Sequence, residues 1–244
     1  MQFKKLPARI WRRLISPPPP TEVFSHQDAL GRLRDLGWRP RVVYDIGAYH
    51  GYWSSAVKKI FPAAECVMFE ANPDNAAILK QSANRYFIAV LGHEDGVERS
   101  FFAPNEVVAT GASLYRENTV HYTGSGYTTR KVVTSRLDSL VAAQKLDPPD
   151  LIKIDVQGAE LDVIAGGPDA LSHAQALIIE TSILNYNRGA PLFGEVVAAV
   201  TALGFRCVDF CELHRIGTNF ILQLDLLFVR EPIYQKYYAA AGLL

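Results

Sequence analysis

The sequence predicts an α/β fold, a mainly parallel sheet covered on both faces, and three observations carry that prediction. Short β-branched or apolar runs alternate with segments of helical period along most of the chain. Several of those runs end in an acid, at Asp45, Glu70, Asp155 and Glu180, the place where such sheets meet ligands. The composition, 49% hydrophobic and 20% charged over 244 residues, suits one domain with a large core and excludes the disordered classes.

The chain is expected to begin with an appendage. Lys4, Lys5, Arg9, Arg12 and Arg13 stand among Phe3, Leu6, Ile10 and Leu14 at near-helical spacing, so residues 3–15 read as a short basic amphipathic helix. Pro17 to Pro20 then form a semi-rigid extended spacer. The domain organisation is therefore a basic arm over 1–20 and a folded domain over 21–244. The arm reads as solvated, with docking on an anionic membrane surface as the alternative. Arg12 and Arg13 interrupt the apolar stretch a signal peptide needs, and no run of about 18 apolar residues offers a spanning helix. A cytoplasmic protein, with membrane association only at the surface, is expected. Cys66, Cys207 and Cys211 lack metal spacing and read as reduced core residues. Twenty-five basic and twenty-five acidic residues cancel, so overall charge argues against a nucleic-acid partner.

Ala29, Leu30, Leu33 and Leu36 share one face of a predicted helix closed by Gly37. Val42 to Ile46 follows as the first strand, then the turn Gly47-Ala48-Tyr49-His50-Gly51 and a helix over 52–60. The glycines are expected to turn with positive φ and to let a ligand approach the backbone. The spacing is not that of a dinucleotide fingerprint, because Tyr49 stands where a glycine would admit a pyrophosphate. An acid at the strand end suits a ligand with a positive amine, such as S-adenosylmethionine, and Asp45 is assigned to that amine. Glu65 to Glu70 is the second strand, its terminal acid placed to accept ribose hydroxyls. A helix is expected over 75–83 and a third strand over 86–91. Asp95, with His93 and Glu94 in the turn after it, is the candidate for the adenine edge. Residues 97–136 carry glycines, threonines and tyrosines without helical period and read as a β-rich insertion beside the cleft. The fourth strand is expected over 150–156, a helix over 158–165 ended by Gly166-Gly167-Pro168, and the fifth strand over 176–180. A helix over 193–203 leads to closing strands over 205–210 and 223–229, an antiparallel pair linked through 211–222.

Four motifs in this order resemble those of FkbM-type methyltransferases: Asp45-Ile46-Gly47-Ala48-x-x-Gly51, Phe69-Glu70-Ala71-Asn72-Pro73, Leu137-Asp138-Ser139-Leu140, and Ile152 through Glu160. The resemblance runs from about Arg41 to Arg230. It implies a Rossmann-like methyltransferase fold with a seven-stranded sheet and an antiparallel closing strand. It also implies S-adenosylmethionine as cofactor, bound at Asp45, Gly47, Ala48, Gly51, Glu70 and Asn72, and a hydroxyl acceptor, often on a sugar. Two positions depart from the pattern: Tyr49-His50 stands where Asn is frequent, and Gln157 where Glu is.

O-methyl transfer needs a group to accept the hydroxyl proton. Asp155, ending the strand expected beside the first, is the candidate base. Lys153 lies two residues earlier on the same face and is expected to pair with Asp155 or Glu180. Glu160 is read as favouring its helix dipole. No metal site is expected, since the spacing of Asp155, Glu160 and Glu180 does not demand one. The competing readings are an NAD-dependent oxidoreductase and a non-catalytic cofactor-binding scaffold.

Overall fold

The computed structural model describes residues 24–104, 111–118, 127–216 and 220–243. The arm expected over 1–20 lies outside them. Helix α1 (His26–Asp35) begins where Ser25, in extended backbone, accepts the Asp28 amide at 3.0 Å, and it buries Ala29, Leu30 and Leu33. Strand β1 (Val42–Ile46) is buried throughout, as a central parallel strand must be. Gly51 then opens α2 (Tyr52–Ile60), followed by β2 (Glu65–Glu70). The helix expected over 75–83 is shorter than its period suggested, a 3-10 turn over Pro73–Asn75 and a single turn α3 (Ala76–Leu79).

The expected third strand is two. β3 (Arg85–Ile88) pairs with β2, whereas β4 (Val90–Leu91) leaves that sheet to pair with a strand of the insertion. The insertion is β-rich as expected and holds an antiparallel pair, β5 (Glu98–Pro104) and β6 (Tyr127–Ser135), in a three-stranded sheet of order β4-β6-β5. Helix α4 (Leu137–Gln144) was not foreseen as a helix. After β7 (Leu151–Ile154) and α5 (Glu160–Gly166), Pro168 opens α6 (Pro168–His173) at its first position, where it needs no amide hydrogen, instead of merely closing the helix before. β8 (Ala176–Ser182), α7 (Phe193–Ala202), β9 (Phe205–Ile216), β10 (Phe220–Arg230) and α8 (Glu231–Ala240) complete the chain. β9 and β10 reach far into the segment read as their link. Their ladder accommodates register shifts that break simple alternation, so the polar run Glu212 to Arg215 looks like loop while pairing as strand. Cys207 is exposed, contrary to its expected core placement, while Cys66 and Cys211 are buried.

The main sheet has the order β3-β2-β1-β7-β8-β10-β9, with β10 alone antiparallel to its neighbours. Val42, Tyr44 and Ile46 enter the core under α4 to α7. Val43 enters the other, with Leu33, Val57 and Ile233 of α1, α2 and α8. Period-two alternation thus puts one strand into both cores. Because the chain leaves β1 for β2 and returns on its other side at β7, the order reverses at β1. A crevice opens at such a reversal beyond the carboxyl ends of the strands. Among the described residues no helix is long and apolar enough to cross a membrane.

Candidate active site

A cavity of about 390 Å³, a size usual for small-molecule sites, lies in that crevice. One end is apolar, walled by Phe69, Ala71, Val90, Leu91, Phe101 and Leu114. The other is polar, lined by Asp155, Gln157, Glu180, His214 and Gln223. Gly47, Tyr49 and Glu70 also line the cavity. The insertion forms part of the wall: the Ser113 hydroxyl donates to the Gln157 carbonyl at 2.7 Å, and Asn118 N donates to the Tyr186 carbonyl at 2.6 Å.

The turn after β1 is built around Glu70. Its two oxygens accept the Tyr49 and Asn72 amides, each at 2.7 Å, which ties the ends of β1 and β2 together. Burial raises the pKa of this carboxyl, and those amides oppose the rise. Tyr49 takes φ +50 to present its amide, a conformation uncommon outside glycine. The loop glycines are required by the protein's own packing, and Gly47 lines the cavity as well. A Cβ on Gly47 would stand 1.7 Å from the Asp155 carbonyl oxygen, and one on Gly51 3.0 Å from the Met68 sulfur, so both make room for the protein itself.

The polar end is a web of side chains. Lys153 Nζ lies 2.7 Å from Asp155 Oδ2, while Gln157 Nε2 donates to Asp155 Oδ1 at 3.1 Å and to Glu180 Oε2 at 2.7 Å. Gln157 holds φ +55, a strained backbone at the cleft. Its amide lets two carboxylates share one neighbourhood, which a glutamate there could not do by donating. Burial would raise the Asp155 carboxyl, but the Lys153 ammonium and the Gln157 amide hold it below the ordinary carboxylate range. Burial opposes the charge on Lys153, yet Asp155, Asp45 and Asp225 raise its pKa and keep it ammonium. Glu180 is pushed well above the ordinary range by burial and by the like charges of Asp155, Asp225 and Glu160.

Behind this web Glu180, Asp225 and Glu212 are register partners on β8, β10 and β9. Asp155 follows Ile154, the partner of Ile179, and so comes level with Glu180. His26 Nε2 reaches Asp225 Oδ2 at 2.7 Å and Glu212 Oε2 at 3.3 Å. Burial works against charge on His26, while Asp225 and Glu212 raise its pKa to about 9. The indole of Trp53 donates to His26 Nδ1 at 3.1 Å, so full protonation of the ring would cost that bond.

Of the residues singled out from sequence, Gly47, Glu70 and Asp155 line the cavity, and Lys153 supports Asp155 from behind. Of the others assigned to cofactor or catalysis, Asp45, Ala48, Gly51, Asn72 and Asp95 do not line it, whereas Tyr49, Gln157 and Glu180, noted from sequence on other grounds, do. Asp45, meant for an amine, is fully buried beneath α2, where Oδ2 accepts from the Ser54 hydroxyl at 2.7 Å. It shares the face of Val43, which turns it into the core and away from the cleft. Ala48 packs with Met68 and Leu79. Gly51 caps α2, and Asn72 Oδ1 accepts the Asp74 amide at 3.1 Å to start the 3-10 turn. Asp95, meant for adenine, accepts from Arg136 N at 2.7 Å and Ser139 Oγ at 2.6 Å and so caps the start of α4. Glu160 accepts the Gly158 amide at 2.9 Å and the Val156 amide at 3.3 Å, closing the loop after β7, and burial raises its pKa to about 7. Sequence reading missed the positions of His214, Gln223 and Asp225; the polarity of Gln223 and Asp225 within the apolar run 223–229 was the available signal, whereas His214 lay in the segment read as a link.

The model of the methyltransferase FkbM domain matches residues 45–207. The hexuronic acid methyltransferase AglP of Haloferax volcanii is 27% identical over 163 residues, which cover 65% of this chain and 63% of AglP. The 2-O-methyltransferase NoeI of Sinorhizobium fredii is 30% identical over 159 residues, covering 58% of this chain and 63% of NoeI. The chain thus spans somewhat less than two thirds of either relative. A solved structure of magnesium protoporphyrin IX methyltransferase from Synechocystis overlays with a TM-score of 0.45 at 12% identity, over 91% of this chain and 89% of that one.

Proposed function

The chain belongs to the FkbM methyltransferase family, and from that premise we propose that it transfers a methyl group from S-adenosylmethionine to a sugar hydroxyl. The observation that carries the reading is the two-ended cleft at the sheet reversal, apolar beside Glu70 and acidic around Asp155. The residues fit the cofactor. An apolar slot suits a purine, and Glu70, which takes two backbone amides and the Asn75 side chain, keeps a lone-pair site for a ribose hydroxyl. When bound, S-adenosylmethionine supplies an electrophilic methyl on a sulfonium. Asp155, held ionised by Lys153, accepts the proton of the acceptor hydroxyl as its oxygen gains the methyl. Lys153 and Gln157 fix the carboxylate so that this transfer needs little reorganisation. The sugar class follows the two relatives, one a hexuronic acid methyltransferase and the other a 2-O-methyltransferase. The proposed location is the cytoplasm, with the basic arm over 1–20 appended to the domain over 21–244 as a solvated segment, and contact with an anionic membrane surface as the alternative.

Two measurements test the reading. Calorimetry with S-adenosylhomocysteine and with NAD should give saturable binding for the first alone. Incubation with S-adenosylmethionine and hexuronic acid-containing glycans should add the mass of one methyl to the glycan. Binding of NAD in place of S-adenosylhomocysteine would overturn the assignment in favour of an oxidoreductase. Cofactor binding without methyl transfer to any hydroxyl-bearing sugar would leave only a binding scaffold.

A further inference from the structure

Two groups of potential metal ligands meet at Asp225, and the structure distinguishes them. His26, Glu212 and Asp225 form one, and Glu180, His214 and Asp225 the other, each with ligand atoms within 4.8 Å of one another. The first is already closed, since His26 Nε2 bonds both carboxylates. The second has no such internal bond. It faces the polar end of the cavity through Glu180 and His214. Asp225 is only 3% exposed, and Oδ1 has no hydrogen-bond partner. A carboxylate oxygen buried without a donor is costly, and a cation is one way to satisfy it.

The charge around the group points the same way. Asp155, Glu180, Asp225 and Glu212 lie level across four adjacent strands, faced by Lys153 and His26. Lys153 is occupied by Asp155. Two carboxylates and one imidazole are a donor set suited to Mn²⁺ or Zn²⁺, and three protein ligands leave positions open for substrate oxygen. His26, held by Trp53, bonds Asp225 Oδ2 and orients the carboxylate from outside, the arrangement common around ligating groups.

We infer that Glu180, His214 and Asp225 bind a divalent cation at the acceptor end of the cleft, where it ligates the hydroxyl to be methylated. Coordination makes a sugar hydroxyl more acidic, so that a carboxylate can take its proton as the oxygen gains the methyl. That role rests on the methyl-transfer reading; binding of the ion does not.

The test is titration of the full chain with Mn²⁺, followed by electron paramagnetic resonance of the free ion, with S-adenosylhomocysteine affinity measured separately by calorimetry. One saturable site is expected. His214→Ala and Asp225→Asn should each weaken Mn²⁺ at least tenfold while leaving S-adenosylhomocysteine affinity unchanged, and Glu212→Gln should leave Mn²⁺ binding intact. Because Asp225 is buried and its variant can misfold, the half-exposed His214 carries the decision. Absence of saturable binding, or binding indifferent to His214→Ala, overturns the inference. Loss in Glu212→Gln with His214→Ala unaffected would overturn it in favour of the His26 group. Intact Mn²⁺ binding in a chain that fails to bind S-adenosylhomocysteine would sink the methyl-transfer reading and leave the metal site standing.

Discussion

The carboxylates at the two ends of the cleft are held by different kinds of partner. On the β1–β2 side Glu70 is fixed by the backbone amides of Tyr49 and Asn72, with the neutral side chain of Asn75 beside them. On the β7–β8–β10 side Asp155, Glu180 and Asp225 are held by Lys153, Gln157 and His26, side chains that carry charge or can reorient. Backbone amides cannot titrate or move without moving the loop, so the first set is scaffolding that also presents acceptors. Ionisable partners set protonation, so the second set can do proton chemistry. The same residue type thus serves shape at one end and reactivity at the other.

The sharpest break of that contrast is at Asp155. Asp155→Asn keeps the shape and should lower turnover by about 10²–10⁴-fold, with S-adenosylhomocysteine binding retained in calorimetry. A variant turning over at the wild-type rate would reduce Asp155 to a partner of Lys153. Next comes Lys153→Met, which leaves buried Asp45 and part-buried Asp155 without their cation. Denaturant unfolding should show a loss of about 3–5 kcal/mol. An unchanged midpoint would mean that the two acids are neutral in the fold.

Glu160 sharpens the comparison through pH. Its folded pKa, raised to about 7 by burial with Asp155 and Glu180 nearby, lies above that of the unfolded chain. A raised carboxyl contributes stability that is full below the unfolded value and is lost as pH rises through the folded one. Between pH 5 and 8 the wild type should therefore lose on the order of 3 kcal/mol relative to Glu160→Gln, whose oxygen can still accept the Val156 and Gly158 amides. Parallel stability curves for the two proteins would refute this. The smallest effect is expected at Glu70. Glu70→Ala strands two loop amides and should weaken S-adenosylhomocysteine by about 1–3 kcal/mol in calorimetry, and unchanged affinity would remove Glu70 from the cofactor site.

The sequence by itself determined the alternation of strand and helix, the β-rich insertion, and the acids toward the carboxyl side of β1, β2, β7 and β8, because period and turn chemistry are local. Asp155 beside Lys153 was legible for the same reason: two residues on one strand share a face. Tertiary structure alone decided which acids reach the cleft. Asp45 and Asp155 look alike in the chain, but Asp45 lies within β1 on the face under α2, while Asp155 stands one residue beyond β7, at the carboxyl edge of the sheet where the cavity opens. Splitting residues 85–91 between two sheets required β6, more than thirty residues later, to compete for Val90 and Leu91. The group formed by Glu180, His214 and Asp225 depends on the pairing of β8 with β10 and of β10 with β9 through its register shifts. Such register is set by packing between segments distant in sequence, and no local pattern encodes it.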